Sequence, residues 1–111
     1  MNAENDTTFV ESSGNVFADL GVENPEEMLL KAELAREISA QISERQLTQV
    51  EAAELLGIDQ PKVSALTRGR LRGFSVERLL RLLLALGSDI EIRVTPGADP
   101  RTRGRLGVVA A

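Results

Sequence analysis

A chain of 111 residues with 42% apolar and 27% charged side chains makes one small globular domain with tails, too apolar for full disorder. It holds no Cys and no His, which excludes disulfides, zinc fingers, thiol chemistry and histidine acid–base catalysis; three Phe without Trp or Tyr argue against carbohydrate sites and base-stacking platforms. The net charge of −4 conceals a division, because residues 1–61 carry 13 acids and 3 bases (net −10) and residues 62–111 carry 4 acids and 10 bases (net +6), a pattern expected of one acidic face and one face for nucleic acid.

Residues 1–23 are polar and acidic and read as an arm without regular structure of its own. Met1 is followed by the polar NAENDTT, so no signal peptide is expected. Val10, Val16, Phe17 and Leu20 punctuate the arm; they either cover the chain's own core or bind a partner. The folded domain is expected over 24–95. Asn24-Pro25-Glu26-Glu27 is a helix start, with a capping residue, Pro in the first turn and acids behind it. That helix should reach about Arg45, with Leu30, Leu34, Ile38 and Ile42 as its inward stripe and Met28, Ala35 and Ser39 beside it.

Thr48 and Glu51 form a capping box for a second helix, with Val50, Ala53 and Leu56 on its buried face. Gly57 permits the turn, Ile58 plugs the core, and Asp59 caps a third helix whose first turn tolerates Pro61. Val63 and Leu66 should face inward, and Gly69 ends this helix near Arg68. Ser75 caps a fourth helix, SVERLLRLLLALG, apolar so far round that it should be covered on more than one side. Leu82 and Leu86 are its candidates for a subunit interface. From Asp89 to Thr95 the pattern alternates, with Ile90, Ile92 and Val94 on one face, as in a strand. With no second strand in sight, that segment should pair with its own copy across a two-fold axis. Residues 96–111, with Arg101, Arg103 and Arg105, read as a flexible tail. The expected fold is mainly α: a helix-turn-helix bundle of four to five helices with one C-terminal β-strand pairing across a homodimer.

The chemistry concentrates in residues 48–70, TQVEAAELLGIDQPKVSALTRGR. A helix-turn-helix needs a small residue where its helices cross, supplied by Ala53, and a turn residue tolerant of positive φ, supplied by Gly57. Its second helix needs buried anchors, Val63 and Leu66, that free the opposite face for the groove. A basic run follows at Arg68, Arg70 and Arg72. Carried by Thr48-Gln49, Ala53, Gly57, Gln60, Val63 and Arg68-Gly69, the segment resembles the Xre/Cro family of phage-repressor-type proteins over about residues 30–87. SSGNVFADLG, the helical run, the motif and LGSDIEIRV together resemble the HigA-like antitoxin branch over about residues 12–95.

The resemblance implies that Thr48 and Gln49 meet a phosphate and that Gln60 opens the recognition helix and reads a base edge. It implies that Pro61, Lys62 and Ser64 lie at bases or phosphates, and that Arg68, Arg70 and Arg72 hold the DNA backbone. Pro61 and Ala65 stand where base-reading polar groups are common, which gives DNA shape a larger share of the recognition. The implied partners are a double-stranded DNA operator, a second copy of the chain and a small basic toxin with ribonuclease activity, with the acidic half suited to the toxin. The expected function is a repressor that is also the antitoxin of a type II toxin–antitoxin pair; the alternative is a stand-alone Xre-family regulator. Neither needs a cofactor, and without His, Cys or a Gly-rich phosphate loop an enzyme has little support. The longest apolar run, 82–86, is too short for a bilayer, so the cytoplasm is the expected location.

Overall fold

Local caps set the helix boundaries. The computed structural model describes residues 24–110, and among these lie four helices: α1 (Pro25–Glu44), α2 (Gln49–Leu56), α3 (Gln60–Thr67) and α4 (Val76–Ala85). Each starts at the cap its sequence announces. Asn24 Oδ1 accepts from the Glu27 N–H at 2.7 Å, and Ser75 Oγ from the Arg78 N–H at 3.0 Å. These bonds satisfy donors that the first turn of a helix cannot. The arm 1–23, with Val10, Val16, Phe17 and Leu20, lies outside the described residues.

α1 ends in a way the sequence does not announce. Gln46 takes a positive φ of 54°, unusual for a non-glycine residue. The closure is nonetheless complete, with Leu47 N–H donating to the Ile42 carbonyl and Gln46 N–H to the Ser43 carbonyl, both at 3.0 Å. Arg45 then reaches across to donate to the Leu86 carbonyl at 2.9 Å, and Gln41 donates to Ser88 Oγ. The ends of α1 and α4 are thereby locked together.

The core is contributed by every helix. α1 gives Leu34, Ala35, Ile38 and Ile42; α2 gives Ala52, Ala53 and Leu56; α3 gives Val63 and Leu66; α4 and its cap give Leu79, Leu82, Leu83 and Leu86. Phe74, in the loop before α4, is buried with them. Two expectations need correction. Val50 is half exposed and Ala52 is fully buried in its place. The two residues stand about 200° apart around the helix axis, so only one can face the core. Leu82 and Leu86, expected at a subunit interface, are 4% and 5% exposed and belong to the chain's own core. With Leu79 and Leu83 they make the i, i+3, i+4, i+7 stripe that packs against α1. The apolar side chain α4 leaves outward is Leu84.

Residues 89–95 form no regular secondary structure in the single chain, where a strand was expected. A strand needs a ladder partner, and the described residues contain no other strand. Ile90 packs partly on the core, while Ile92 and Val94 are 76% and 88% exposed. The tail then turns back along α1. Leu106 N–H donates to Glu26 Oε2 at 2.9 Å, Val108 N–H to Glu33 Oε1 at 3.3 Å, and Val108 rests against the core.

Lys31 of α1 is buried, 3.7 Å from Glu27 Oε2, and burial lowers its pKa from the ordinary lysine value.

Candidate nucleic-acid interface

The α2–turn–α3 unit is built from two caps and one glycine. Thr48 Oγ1 accepts from the Glu51 N–H at 3.1 Å, and Glu51 Oε1 accepts from the Thr48 N–H at 2.9 Å. This reciprocal box fixes the start of α2 and so the position of Gln49. Thr48→Ala is expected to lower stability by about 1 kcal/mol. A chemical denaturation midpoint unchanged from wild type would show that the box contributes nothing.

α2 stops at Gly57, whose φ of 70° only a glycine adopts freely, and a side chain there would meet no neighbour within 4 Å. The constraint at Gly57 is therefore backbone conformation and not space. Asp59 Oδ1 then accepts from the Lys62 N–H at 3.0 Å and starts α3, with three residues between the two helices. Ala53 is small enough for α2 and α3 to pack together.

α3 is held by Val63 and Leu66, each 1% exposed. At about 100° per residue, the side opposite them presents Pro61, Ser64 and Ala65, with Gln60 and Lys62 at its shoulders. Thr48, Gln49, Gln60, Pro61 and Lys62 are exposed; Ser64 and Ala65 are half-buried. The middle of the outward face therefore offers one hydroxyl, from Ser64, and the longer polar groups sit at its edges.

Arg68, Arg70 and Arg72 are exposed on the loop that leaves α3. Gly69 takes a φ of 76°, and Arg70 N–H closes the helix on the Ala65 carbonyl at 2.8 Å. The loop is not free to drift. Leu71 packs partly on the core, Phe74 is buried, and the Phe74 N–H donates to the Leu71 carbonyl at 3.0 Å. Arg78 lies over the Phe74 ring at 5.6 Å from its centroid. These supports were missed from sequence, although the alternation of arginines with Leu71 and Phe74 in RLRGF is their signal.

The cations of this face are set apart by their clustering, since Arg36, Arg45, Arg78 and Arg105 also lack an acid partner among the described residues. Arg81 pairs with Glu77 at 2.8 Å, Arg93 with Glu91 at 3.2 Å, Arg101 with Asp99 at 3.2 Å and Arg103 with Glu26 at 2.9 Å. Among the described residues, Lys62, Arg68, Arg70 and Arg72 have no acidic partner, and no acid interrupts the sequence from 60 to 76. Four uncompensated cations close together in sequence beside an exposed helix give this part of the surface a positive potential.

An eight-residue helix presented across a glycine turn from a second short helix, with cations at its exit, defines a helix-turn-helix DNA-binding domain. The helix-turn-helix domain family matches residues 16–95. A solved structure named "Putative XRE Family Transcriptional Regulator" is 49% identical, with a TM-score of 0.73 over 78% of this chain and 97% of that one. No curated protein matches. The chain belongs to the helix-turn-helix domain family, and within it to the Xre type of transcriptional regulator.

Among the described residues no helix is long and apolar enough to cross a membrane.

Proposed function

We propose that the chain is a homodimeric operator-binding repressor and also the antitoxin of a type II toxin–antitoxin pair, of the HigA-like branch. It acts by binding alone, in the cytoplasm, without catalysis or cofactor. The observation that carries the DNA part is the unpaired cation set Lys62, Arg68, Arg70 and Arg72 beside the exposed side of α3. In this reading Thr48 and Gln49 meet a phosphate, Gln60 reads a base edge, Ser64 and Lys62 reach into the groove past Pro61, and the three arginines fix register on the backbone. With Pro61 and Ala65 near the middle of the face, DNA deformability supplies much of the discrimination.

The homodimer reading is supported by Leu84, Ile92 and Val94, large apolar side chains left in water. Ile90, Ile92 and Val94 would form the intermolecular strand pair, which gives residues 89–95 the ladder partner they lack alone. Ile92→Pro removes one ladder donor and should raise the dimer dissociation constant in sedimentation equilibrium. A dimer of undiminished stability would rule out the shared sheet.

The antitoxin reading is supported by the net charge of −10 on residues 1–61, complementary to a small basic protein. A stand-alone regulator is the second reading, favoured by the similar solved structure being described as a regulator only. The test is expression of the chain with its neighbouring reading frames, followed by identification of whatever co-purifies. Deleting residues 1–23, with Val10, Val16, Phe17 and Leu20, should then release a bound small basic protein and leave DNA binding intact. No co-purifying protein would favour the stand-alone regulator.

A further inference from the structure

The pentapeptide TRGRL occurs twice. Thr67-Arg68-Gly69-Arg70-Leu71 leaves α3, and Thr102-Arg103-Gly104-Arg105-Leu106 lies in the tail, beyond the residues the family match covers. The two copies also leave their preceding turns alike. Thr67 Oγ1 donates to the Ser64 carbonyl at 3.1 Å, and Thr102 Oγ1 to the Asp99 carbonyl at 2.9 Å, each three residues back. Their arginines have different surroundings. Arg68 and Arg70 have no acid partner among the described residues, whereas Arg103 is held by Glu26 of α1 at 2.9 Å and Arg105, like Arg70, has none. The same Glu26 carboxylate accepts the Leu106 N–H, so one acid grips both ends of the RGRL unit.

We propose that the tail's TRGRL is a second phosphate-binding element for duplex DNA, parked on Glu26 in the free protein and transferred to the DNA backbone on binding. It rests on the DNA-binding reading of α3. A carboxylate and a phosphate oxygen offer an arginine the same charge-assisted hydrogen bonds, so Glu26 holds the place of the phosphate. The Arg103–Glu26 ion pair, with side chains 81% and 27% exposed, is open enough to water to exchange its partner, and full release of the tail also gives up the Leu106 and Val108 N–H bonds to α1. The reach is adequate as well. The ten residues 96–105 span about 33 Å when extended, comparable to the 33 Å middle dimension of the molecule. Once off α1, the arginines can follow a strand well outside the footprint of α3.

The test measures binding of a mixed-sequence duplex by fluorescence anisotropy over a salt series, for wild type, R103A/R105A, R103K/R105K, E26Q and R70A/R72A. Removing two phosphate contacts should reduce the slope of log K against log salt by about 1.8 in R103A/R105A, and R103K/R105K should restore it. E26Q, which frees the parked arginine, should tighten binding by up to about fivefold. An unchanged slope in R103A/R105A beside a reduced one in R70A/R72A would overturn the tail element and leave the α3 reading standing. Unchanged slopes in both would overturn both.

Discussion

Replacing Arg68, Arg70 and Arg72 together by alanine is expected to weaken duplex binding about a hundredfold at physiological salt. Each arginine that neutralises a phosphate releases about 0.9 of a counterion, so losing three should lower the salt slope by roughly 2.7. The effect should be general across sequences, because backbone contacts position the protein without reading bases. All three side chains are exposed and carry no acid partner among the described residues, so folding stability should hold within about 0.5 kcal/mol. That separates lost contact from lost structure. Anisotropy titration of the triple variant checks it, and an unaltered slope would remove the basic loop from the interface.

Leu66→Ala should be the more damaging single substitution, through the fold. Leu66 and Val63 are the two fully buried side chains of α3, and an eight-residue helix has no stability apart from its packing. Truncating a buried leucine costs about 2–5 kcal/mol, a large share of the roughly 5–10 kcal/mol available to a domain of this size. A fall in Tm of roughly 12–24 °C follows for a loss near 3 kcal/mol. DNA binding should fail with it, because Leu66 is one of the two core anchors that fix the orientation of Gln60, Lys62 and Ser64. A cost below about 1 kcal/mol by denaturant titration would show that α3 is anchored by other means.

Local signals in this chain were legible and distant ones were not. Asn24, Thr48, Asp59 and Ser75 each cap the helix they precede, because a cap is a bond between residues three apart. Gly57 and Gly69 mark their turns for an equally local reason, a positive φ. The helix-turn-helix unit follows from these signals. Leu82 and Leu86 show where composition falls short. α4 is leucine-rich around most of its circumference, and which side meets α1 depends on packing that composition does not encode. The closure of α1 at Gln46 has no glycine to announce it. The tail's return to Glu26 and Glu33 joins residues 80 and 75 positions apart, beyond any pattern in sequence.

In the proposed function the α3 face and its basic exit loop form the DNA surface. Amide chemical-shift mapping of the full chain, titrated with duplex DNA, tests it most directly. The shifts should concentrate on Gln49, Gln60, Lys62, Ser64, Arg68, Arg70 and Arg72. Shifts confined to α1 and α4, with those seven amides unmoved, would contradict it.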